Sequence, residues 1–309
     1  MHKAPLTHVL TGLSFSRWSY QLTFDQPALL PAQTGSMLRG ALGHALKLLY
    51  CSCADNPTSK LLHKVDCLYS SIFENTSKAE LISNGITQVP PAFVFSPLTQ
   101  TTRGNKKTTY QGQVTLLGVA HQHATEFFQA LRLAAYRGLG VQQQSAALSS
   151  VEQLAVSLLN AQDVLSMSQG VEIKLISPLF IKRRMQGTNH SKAVQAHQFN
   201  FQAWLVALHR RLSILHSVYQ VPASTLPALA NWLDHSEHYC VTHQLYDERF
   251  ARHSNRQQQS MPLSGLLGTI QIHQPLPTEL LSAMHLGQWL HIGGKTAFGL
   301  GAYQLQPIH

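Results

Sequence analysis

The chain has 309 residues, of which 44% are hydrophobic and 12% are charged, with 23 Lys and Arg against 14 Asp and Glu. This length suits two domains with separate cores, and the composition excludes a disordered or fibrous protein. The formal charge of +9 favours a polyanion such as nucleic acid as partner, although an anionic membrane surface or simple solubility would fit the same excess.

Targeting signals and a disulfide framework are not indicated. No apolar run reaches the roughly 18 residues that a membrane helix needs, and residues 1–21 do not form a signal peptide. The 4 cysteines are too few for a disulfide framework and fit a reducing compartment. We therefore expect a cytoplasmic protein without a membrane partner.

The first half of the chain alternates strand and helix patterns. A helix with Ser36 as its N-cap is predicted after Gly35, because aliphatic residues recur there at helical spacing. Residues 51–91 lose periodicity and indicate an irregular insertion. The other segments are a strand at 9–24, strands at 92–95 and 113–119, a helix at 124–136 and an apolar segment at 148–159.

The second half repeats this order. It contains a strand at 171–181, a helix at 199–219, strands at 239–250 and 263–272, a helix at 277–286 and a strand at 298–305. The order βαββαβ in each half predicts an α+β protein of two tandem ferredoxin-like (RRM-like) domains. We place the first domain at 1–169, with the insertion, and the second at 170–309.

One face of the first helix is basic. On a helical wheel one arc holds the positions of Arg39, Gly40, Gly43, His44, Lys47 and Tyr50, and the large aliphatic residues lie elsewhere. The two glycines suggest that another backbone passes close by. A histidine can exchange a proton near neutral pH, and the cations could stabilise a phosphoryl group, whereas a simply solvated face would look the same.

A glycine-rich loop at 293–301 precedes the last strand. Glycine reaches backbone conformations that are closed to other residues, so amide groups there can face an anion such as a phosphate, and Lys295 adds a full charge. A tight connection would have the same composition. The candidate binding residues of the loop are Gly293, Gly294, Lys295, Thr296, Gly299 and Gly301.

Two further clusters are basic. Around 249–257, the side chains of Arg249, Arg252 and Arg256 are interleaved with aromatic and amide residues, a mixture that suits phosphate contact and base stacking on single-stranded RNA. Lys182 and Arg183, at the end of a strand, form a less specific cluster.

A third set of residues has metal-ligand chemistry. Cys51, Cys53, His63 and Cys67 have the spacing C-x-C-x9-H-x3-C within the insertion. They could hold a structural zinc, with free intracellular thiols as the alternative. The small number of acidic residues makes metal-dependent phosphoryl transfer a poor fit, so we expect no cofactor for catalysis.

Several motifs resemble one known family. They are Met37-Leu38-Arg39-Gly40-Ala41-Leu42-Gly43-His44-Ala45-Leu46, the Arg137-Gly138-Leu139-Gly140 turn, Ser177-Pro178-Leu179-Phe180-Ile181-Lys182, Arg256-Gln257 with Met261-Pro262-Leu263-Ser264-Gly265-Leu266-Leu267-Gly268, and the terminal glycine loop. In this order and combination they resemble the CRISPR repeat-processing endoribonucleases of the RAMP superfamily.

The resemblance implies two ferredoxin-like domains with a cleft between them and metal-independent cleavage of CRISPR precursor RNA within its repeats. The ribose 2′-hydroxyl attacks the adjacent phosphate and leaves 2′,3′-cyclic phosphate and 5′-hydroxyl ends. His44 would be the general base, with Lys47 and Arg39 stabilising the phosphorane and Tyr20 or Tyr50 as a further catalytic group. The glycine loop, Arg137 and the basic clusters would bind repeat RNA.

The resemblance leaves two alternative functions. The chain could be a non-catalytic RNA-binding RAMP subunit of a CRISPR effector complex, since the glycine loop and the basic clusters require only binding. It could also be a processing domain of a spacer-acquisition assembly with reverse transcriptase and integrase modules. Other CRISPR-associated proteins would then be partners.

Overall fold

The computed structural model describes residues 15–51, 67–74, 89–103, 107–156, 159–184, 191–219, 229–234, 236–254 and 259–308. Within these ranges, no helix combines the length and the apolar character needed to cross a bilayer. The first six residues of the strand predicted at 9–24 lie outside these ranges, as does most of the predicted insertion.

The first half folds around one antiparallel sheet. Its strand order is β2–β4–β1–β5, with β3 also paired to β4, and the helices α1 and α3 pack on each other. The elements are β1 (Phe15–Phe24), α1 (Thr34–Tyr50), a π-helical turn (Ser70–Glu74), β2 (Phe93–Phe95), β3 (Thr99–Arg103), β4 (Thr108–Leu117), α2 (Val119–Gln122), α3 (Ala124–Arg137) and β5 (Ala146–Leu154).

The second half has the same topology. Its antiparallel sheet has the order β11–β6–β10–β9, and β7 and β8 form a separate small hairpin. The elements are α4 (Ala161–Ser166), β6 (Val171–Leu179), β7 (Lys182–Arg184), β8 (Ser191–Ala193), α5 (Phe201–Tyr219), α6 (Leu229–Leu233), β9 (Val241–Ser254), β10 (Gln259–Ile272), α7 (Thr278–Leu290) and β11 (Tyr303–Pro307). In the first half β1 lies between β4 and β5, and in the second half β6 lies between β10 and β11. This is the order of a ferredoxin-like unit, so the predicted fold class is confirmed.

Helix α1 forms because its apolar residues share one side. Leu38, Leu42 and Leu46 are fully buried, and they recur at intervals of four residues. The predicted N-cap at Ser36 is wrong, since the helix begins at Thr34 and Gln33 occupies the cap position. The Thr34 hydroxyl instead accepts a hydrogen bond of 3.0 Å from the Leu98 amide, which ties the start of the helix to the chain beyond β2.

The two halves contact each other at the end of α7. The Thr115 hydroxyl on β4 donates a hydrogen bond of 2.9 Å to the Trp289 carbonyl. The guanidinium carbon of Arg17, on β1, lies 4.3 Å from the Trp289 ring centroid. A second connection is the 2.5 Å hydrogen bond from the Tyr219 hydroxyl to the Pro90 carbonyl. The first two contacts fix the C-terminal end of α7 against the first sheet, and the third fixes the end of α5 against the first half.

The β9–β10 hairpin extends beyond the second sheet. All 14 residues of β10 pair with β9, whereas β6 pairs with β10 only from Leu266 to Ile272. Residues 249–254 and 259–264 therefore form a two-stranded ribbon beside the sheet. The backbone amides and carbonyls on its outer edges are free of strand partners among the described residues, so the ribbon can lie along a ligand.

Candidate functional site

The exposed side of α1 carries His44 and Lys47. The two residues are three apart, so they are neighbours on the helix surface, and both side chains are exposed. Gly40 is one turn before His44 and is exposed as well. A Cβ atom at Gly40 would meet nothing within 4 Å, so a ligand can approach the helix backbone beside His44.

Phe73 divides the predicted basic face of α1 into two parts. A Cβ atom at Gly43 would lie 2.5 Å from Cζ of the Phe73 ring, so this glycine makes room for an aromatic side chain, and the expectation of a passing backbone is wrong at this position. The Arg39 guanidinium carbon lies 4.4 Å from the centroid of the same ring. Arg39 therefore packs on an aromatic surface, while His44 and Lys47 face solvent.

Arg39 also connects α1 with the glycine loop. Its guanidinium carbon lies 5.4 Å from the centroid of Phe298, which is in the 3₁₀ turn of the loop. A Cβ atom at Gly35 would lie 2.7 Å from the Phe298 carbonyl carbon and 2.8 Å from Gly299 Cα. The loop of the second half is therefore seated on the first turn of α1, in the first half.

Most glycines of the loop serve its own folding. Gly293, Gly299 and Gly301 have φ values of 77°, 78° and 76°, a region that suits glycine, and Lys295 is left-handed at 62°. Because these residues form turns, β11 begins at Tyr303 rather than at the predicted residue 298. Thr296 is buried, and Lys295 is partly exposed.

Three amides of the loop donate inside the protein. The amide of Gly294 donates to the Phe180 carbonyl at 2.7 Å, that of Gly301 to the Pro178 carbonyl at 3.1 Å, and that of Gly299 to the Thr296 carbonyl at 2.9 Å. These three groups cannot cradle an anion without giving up those bonds. Lys295 is the group of the loop that offers charge to a ligand.

Two buried side chains close the base of the loop. The Ser177 hydroxyl donates to the Gly299 carbonyl at 2.7 Å and accepts from the Ala302 amide at 2.9 Å. His291, which is fully buried at φ 56°, donates through Nδ1 to the Leu300 carbonyl at 3.2 Å. Because a carbonyl is the acceptor, the proton of the neutral ring is on Nδ1.

The environment of His291 keeps its imidazole neutral. Burial and the charge of nearby Arg211 lower its pKa to about 3, against the opposing effect of its backbone hydrogen bond. Arg211 is itself buried and donates through Nε to the Leu290 carbonyl at 3.1 Å. The loop therefore begins beside a buried pair, His291 and Arg211, of which only Arg211 is charged near neutral pH.

We predict that His291 makes stability fall with acidification. The unfolded chain takes up this proton near pH 6.5 and the folded chain only near pH 3, so folding loses free energy as the pH drops through that window. At pH 5 the loss should be about 2 kcal/mol relative to neutral pH. In urea unfolding, the free energy of unfolding should decline less between these pH values for His291→Gln than for wild type, because glutamine cannot take up the proton.

The control is His197→Gln, because His197 is exposed and should keep the wild-type dependence. Equal slopes for wild type and His291→Gln would contradict the prediction.

Lys182 and Lys295 meet at Phe180. Their ammonium nitrogens lie 5.8 Å and 4.8 Å from the centroid of its ring. Arg183 on the same small hairpin is exposed and faces Lys192 across the strand pair. The structure thus joins two predicted RNA-binding groups, the glycine loop and the cluster after β6, through Phe180, an aromatic residue to which the sequence analysis gave no role of its own.

The predicted arginine cluster lies on the ribbon. Arg249 is exposed on β9 and pairs with Ser264 of β10. Arg252 belongs to the same strand and pairs with Met261. Arg256 lies outside the described residues. Arg137 is exposed at the end of α3, and among the described residues no contact links it to the other predicted binding residues.

The two tyrosine candidates differ in burial, since Tyr20 is buried and Tyr50 is partly exposed. Tyr20 is fully buried in the first core, and burial holds its pKa far above the ordinary range. A Cβ atom at Gly112 would lie 2.5 Å from its hydroxyl oxygen, so this hydroxyl faces β4 rather than a cleft. Tyr50 donates a 2.6 Å hydrogen bond to Gln129 on α3. We assign no catalytic role to Tyr20.

The cysteine set is only partly described. Cys51 and Cys67 are buried, and the Cys67 thiol donates to the Tyr50 carbonyl at 3.7 Å. Cys53 and His63 lie outside the described residues. The two described thiols flank residues 52–66, which lie outside the described residues, and structural zinc stays a prediction.

Family models match both halves of the chain. Residues 13–174 match the N-terminal domain family AF_1859_N. Residues 173–303 match the CRISPR-associated endoribonuclease Cas6. The chain is a Cas6-like protein. Cas6 proteins form a family of RNA-cleaving enzymes, so the predicted resemblance to CRISPR repeat-processing RAMP proteins is confirmed. No curated protein matches the chain in sequence.

Solved structures share the fold of this Cas6-like chain. A Cas6 product complex has a TM-score of 0.57 at 14% identity and covers 94% of this chain and 100% of its own. A Cas6-related protein from Pyrococcus furiosus has a TM-score of 0.52 at 10% identity, with coverage of 96% and 100%. A partial Cas6-RT-Cas1–Cas2 complex has a TM-score of 0.55 at 14% identity, with coverage of 94% and 46%. At these identities the likeness concerns the fold.

Proposed function

We propose that this chain cuts CRISPR precursor RNA within its repeats, by attack of a ribose 2′-hydroxyl on the adjacent phosphate and without a metal ion. The observation that carries the proposal is the exposed pair of His44 and Lys47 on α1, beside the open surface over Gly40. An imidazole and an ammonium group one turn apart supply the proton transfer and the positive charge that such a cleavage needs.

His44 acts as the general base in this proposal. Its imidazole takes the proton of the 2′-hydroxyl while the 2′ oxygen forms a bond to phosphorus. The bond from phosphorus to the 5′ oxygen breaks, and that oxygen receives a proton. The products are a 2′,3′-cyclic phosphate and a 5′-hydroxyl, and no electrons are exchanged with a cofactor.

Lys47 and Arg39 have different parts in the proposed reaction. Lys47 is exposed next to His44, so its ammonium group can approach the phosphorane as charge develops on the non-bridging oxygens. The guanidinium group of Arg39 packs on Phe73 and Phe298. We infer that Arg39 positions the glycine loop against α1 and supplies positive potential to the site.

RNA binding would extend over the basic surfaces of the second half. Lys295 of the loop, Lys182 and Arg183 of the small hairpin and Arg249 of the ribbon are positioned at or near the surface. Their charges suit the phosphates of a polyanion. Two solved proteins of this fold, a Cas6 product complex and a RAMP protein with different RNA substrates, favour repeat RNA as the partner.

The test is incubation of the wild-type protein with labelled repeat RNA in EDTA. We expect a cut within the repeat, a 2′,3′-cyclic phosphate at the new end, and no cut when the mapped nucleotide carries a 2′-deoxy substitution. Cleavage that stops in EDTA and returns with a divalent ion would contradict the proposal. Binding without any cleavage would support the non-catalytic RNA-binding subunit instead.

A second candidate is a role in a spacer-acquisition assembly. The partial Cas6-RT-Cas1–Cas2 complex contains the same fold, and this chain spans 46% of that fused chain. We propose association with other CRISPR-associated proteins on this basis. Gel filtration of the chain mixed with reverse transcriptase, Cas1 and Cas2 tests it, and separate elution of all components would oppose it.

A further inference from the structure

Phe180 is fixed between the second sheet and the glycine loop. Its carbonyl accepts the 2.7 Å hydrogen bond from the Gly294 amide. A Cβ atom at Gly294 would lie 2.8 Å from Cδ1 of its ring, so the loop backbone packs directly on the aromatic side chain. The ring, which is half-buried, is therefore held in place by the loop.

Two lysines from distant parts of the chain share this ring. Lys295 Nζ lies 4.8 Å from the ring centroid and Lys182 Nζ lies 5.8 Å from it. The negative charge on the face of an aromatic ring attracts each ammonium group, whereas the two ammonium groups repel each other. An anion bound beside both lysines would reduce this repulsion.

The surroundings of this pair are basic as well. Arg183 and Lys192 face each other across the β7–β8 hairpin, and both are exposed. The hairpin thus extends the positive charge of the lysine pair along one direction, which suits a chain of phosphates.

We propose that the Phe180 ring gathers Lys182 and Lys295 into one phosphate-binding site, which takes a phosphodiester group of single-stranded RNA. The inference rests on the proposed function and adds a positioning residue to it. Because ammonium groups and the Gly294 backbone approach the ring, the site reads a phosphate and not a base. Binding there should be insensitive to base sequence and sensitive to salt.

The experiment measures affinity for an uncleavable repeat RNA, with 2′-deoxyribose at the cut, as a function of salt. Lys182→Gln and Lys295→Gln should each weaken binding several-fold at low salt and reduce the magnitude of the salt slope by about 0.7. Phe180→Leu leaves the net charge unchanged and should weaken binding by a similar factor, because the two ammonium groups lose the aromatic ring that attracts them both. Phe180→Tyr keeps the ring and should bind as wild type.

Double variants test the cooperation directly. Phe180→Leu combined with Lys295→Gln should cost less than the product of the two single effects. Lys107→Gln is the charge-matched control, since Lys107 pairs with Asp25 in the first half, and it should keep wild-type affinity. Replacing single bases of the RNA by abasic nucleotides should change the effect of Phe180→Leu little.

The outcomes separate the two proposals. RNA binding by wild type tests the proposed function, and its absence would overturn both. The inference is wrong, while the function stands, if Phe180→Leu binds RNA as tightly as wild type. It is also wrong if the double variant of Phe180→Leu and Lys295→Gln loses affinity by the full product of the two single losses. Should Phe180→Leu fail to fold, independent effects of Lys182→Gln and Lys295→Gln in their own double variant would overturn the inference, and coupled effects would support it.

Discussion

A His44→Ala variant is expected to keep its affinity for repeat RNA and to lose about 10²- to 10⁴-fold in cleavage rate, the usual contribution of a positioned general base. The side chain is exposed on α1 and lies outside the hydrophobic core, so its removal should leave the fold intact. The loss should appear in the chemical step, because the proposed proton transfer occurs only as the 2′ oxygen attacks.

Single-turnover cleavage with saturating protein measures this step without product release. The matched control is His197→Ala, which removes another exposed histidine, in the turn at Ala196–Gln198, and should cut at the wild-type rate. Lys47→Gln should show a smaller loss than His44→Ala, because a neighbouring positive potential remains. Wild-type cleavage by His44→Ala would move the general base to another residue.

The fold was predictable because both halves follow the periodicities of their elements. Leu38, Leu42 and Leu46 mark the buried side of α1 in the sequence, and the structure buries all three. Repetition of one order in two halves then limited the topology to the ferredoxin-like unit. Errors concern ends of elements. The helix predicted to start after Ser36 begins at Thr34, whose hydroxyl accepts a hydrogen bond from the Leu98 amide, a partner distant in sequence.

The site was predictable only in part. Side-chain chemistry pointed to His44, Lys47 and Lys295, but the sequence could not show that Phe73 packs on Gly43 and Arg39. That contact joins elements about thirty residues apart across the insertion, and a lone aromatic residue looks like core in any pattern. The contact of Phe180 with the glycine loop could not be predicted for the same reason, because it joins residues that are distant in sequence.

Tyr20 shows the opposite error. The family resemblance suggested Tyr20 as a catalytic group, yet its place in the alternation of β1 directs it to the core, where it is fully buried. Glycine was misread in a similar way. Gly43 makes room for the Phe73 ring, and Gly35 makes room for the backbone of Phe298 and Gly299. Gly40, the third glycine of α1, faces open space.

The last prediction uses this difference between glycines of one helix. Gly35→Ala should destabilise the protein by about 1–3 kcal/mol, because a new Cβ atom would meet the backbone of Phe298 and Gly299, which cannot rotate away. Gly40→Ala should stabilise it by about 0.5–1 kcal/mol, because alanine is the better helix former and nothing lies within 4 Å of the new atom.

Urea unfolding of the two variants measures the difference in their free energies of unfolding, which should be about 1.5–4 kcal/mol for the same substitution at two positions of one helix. Gly35→Ala should also lower RNA affinity, since the clash displaces the loop that carries Lys295 and breaks the packing of Arg39 on Phe298. Equal stability of the two variants would mean that the loop does not depend on α1 for its position. RNA cleavage would then require no docking of the second half on the helix that carries His44.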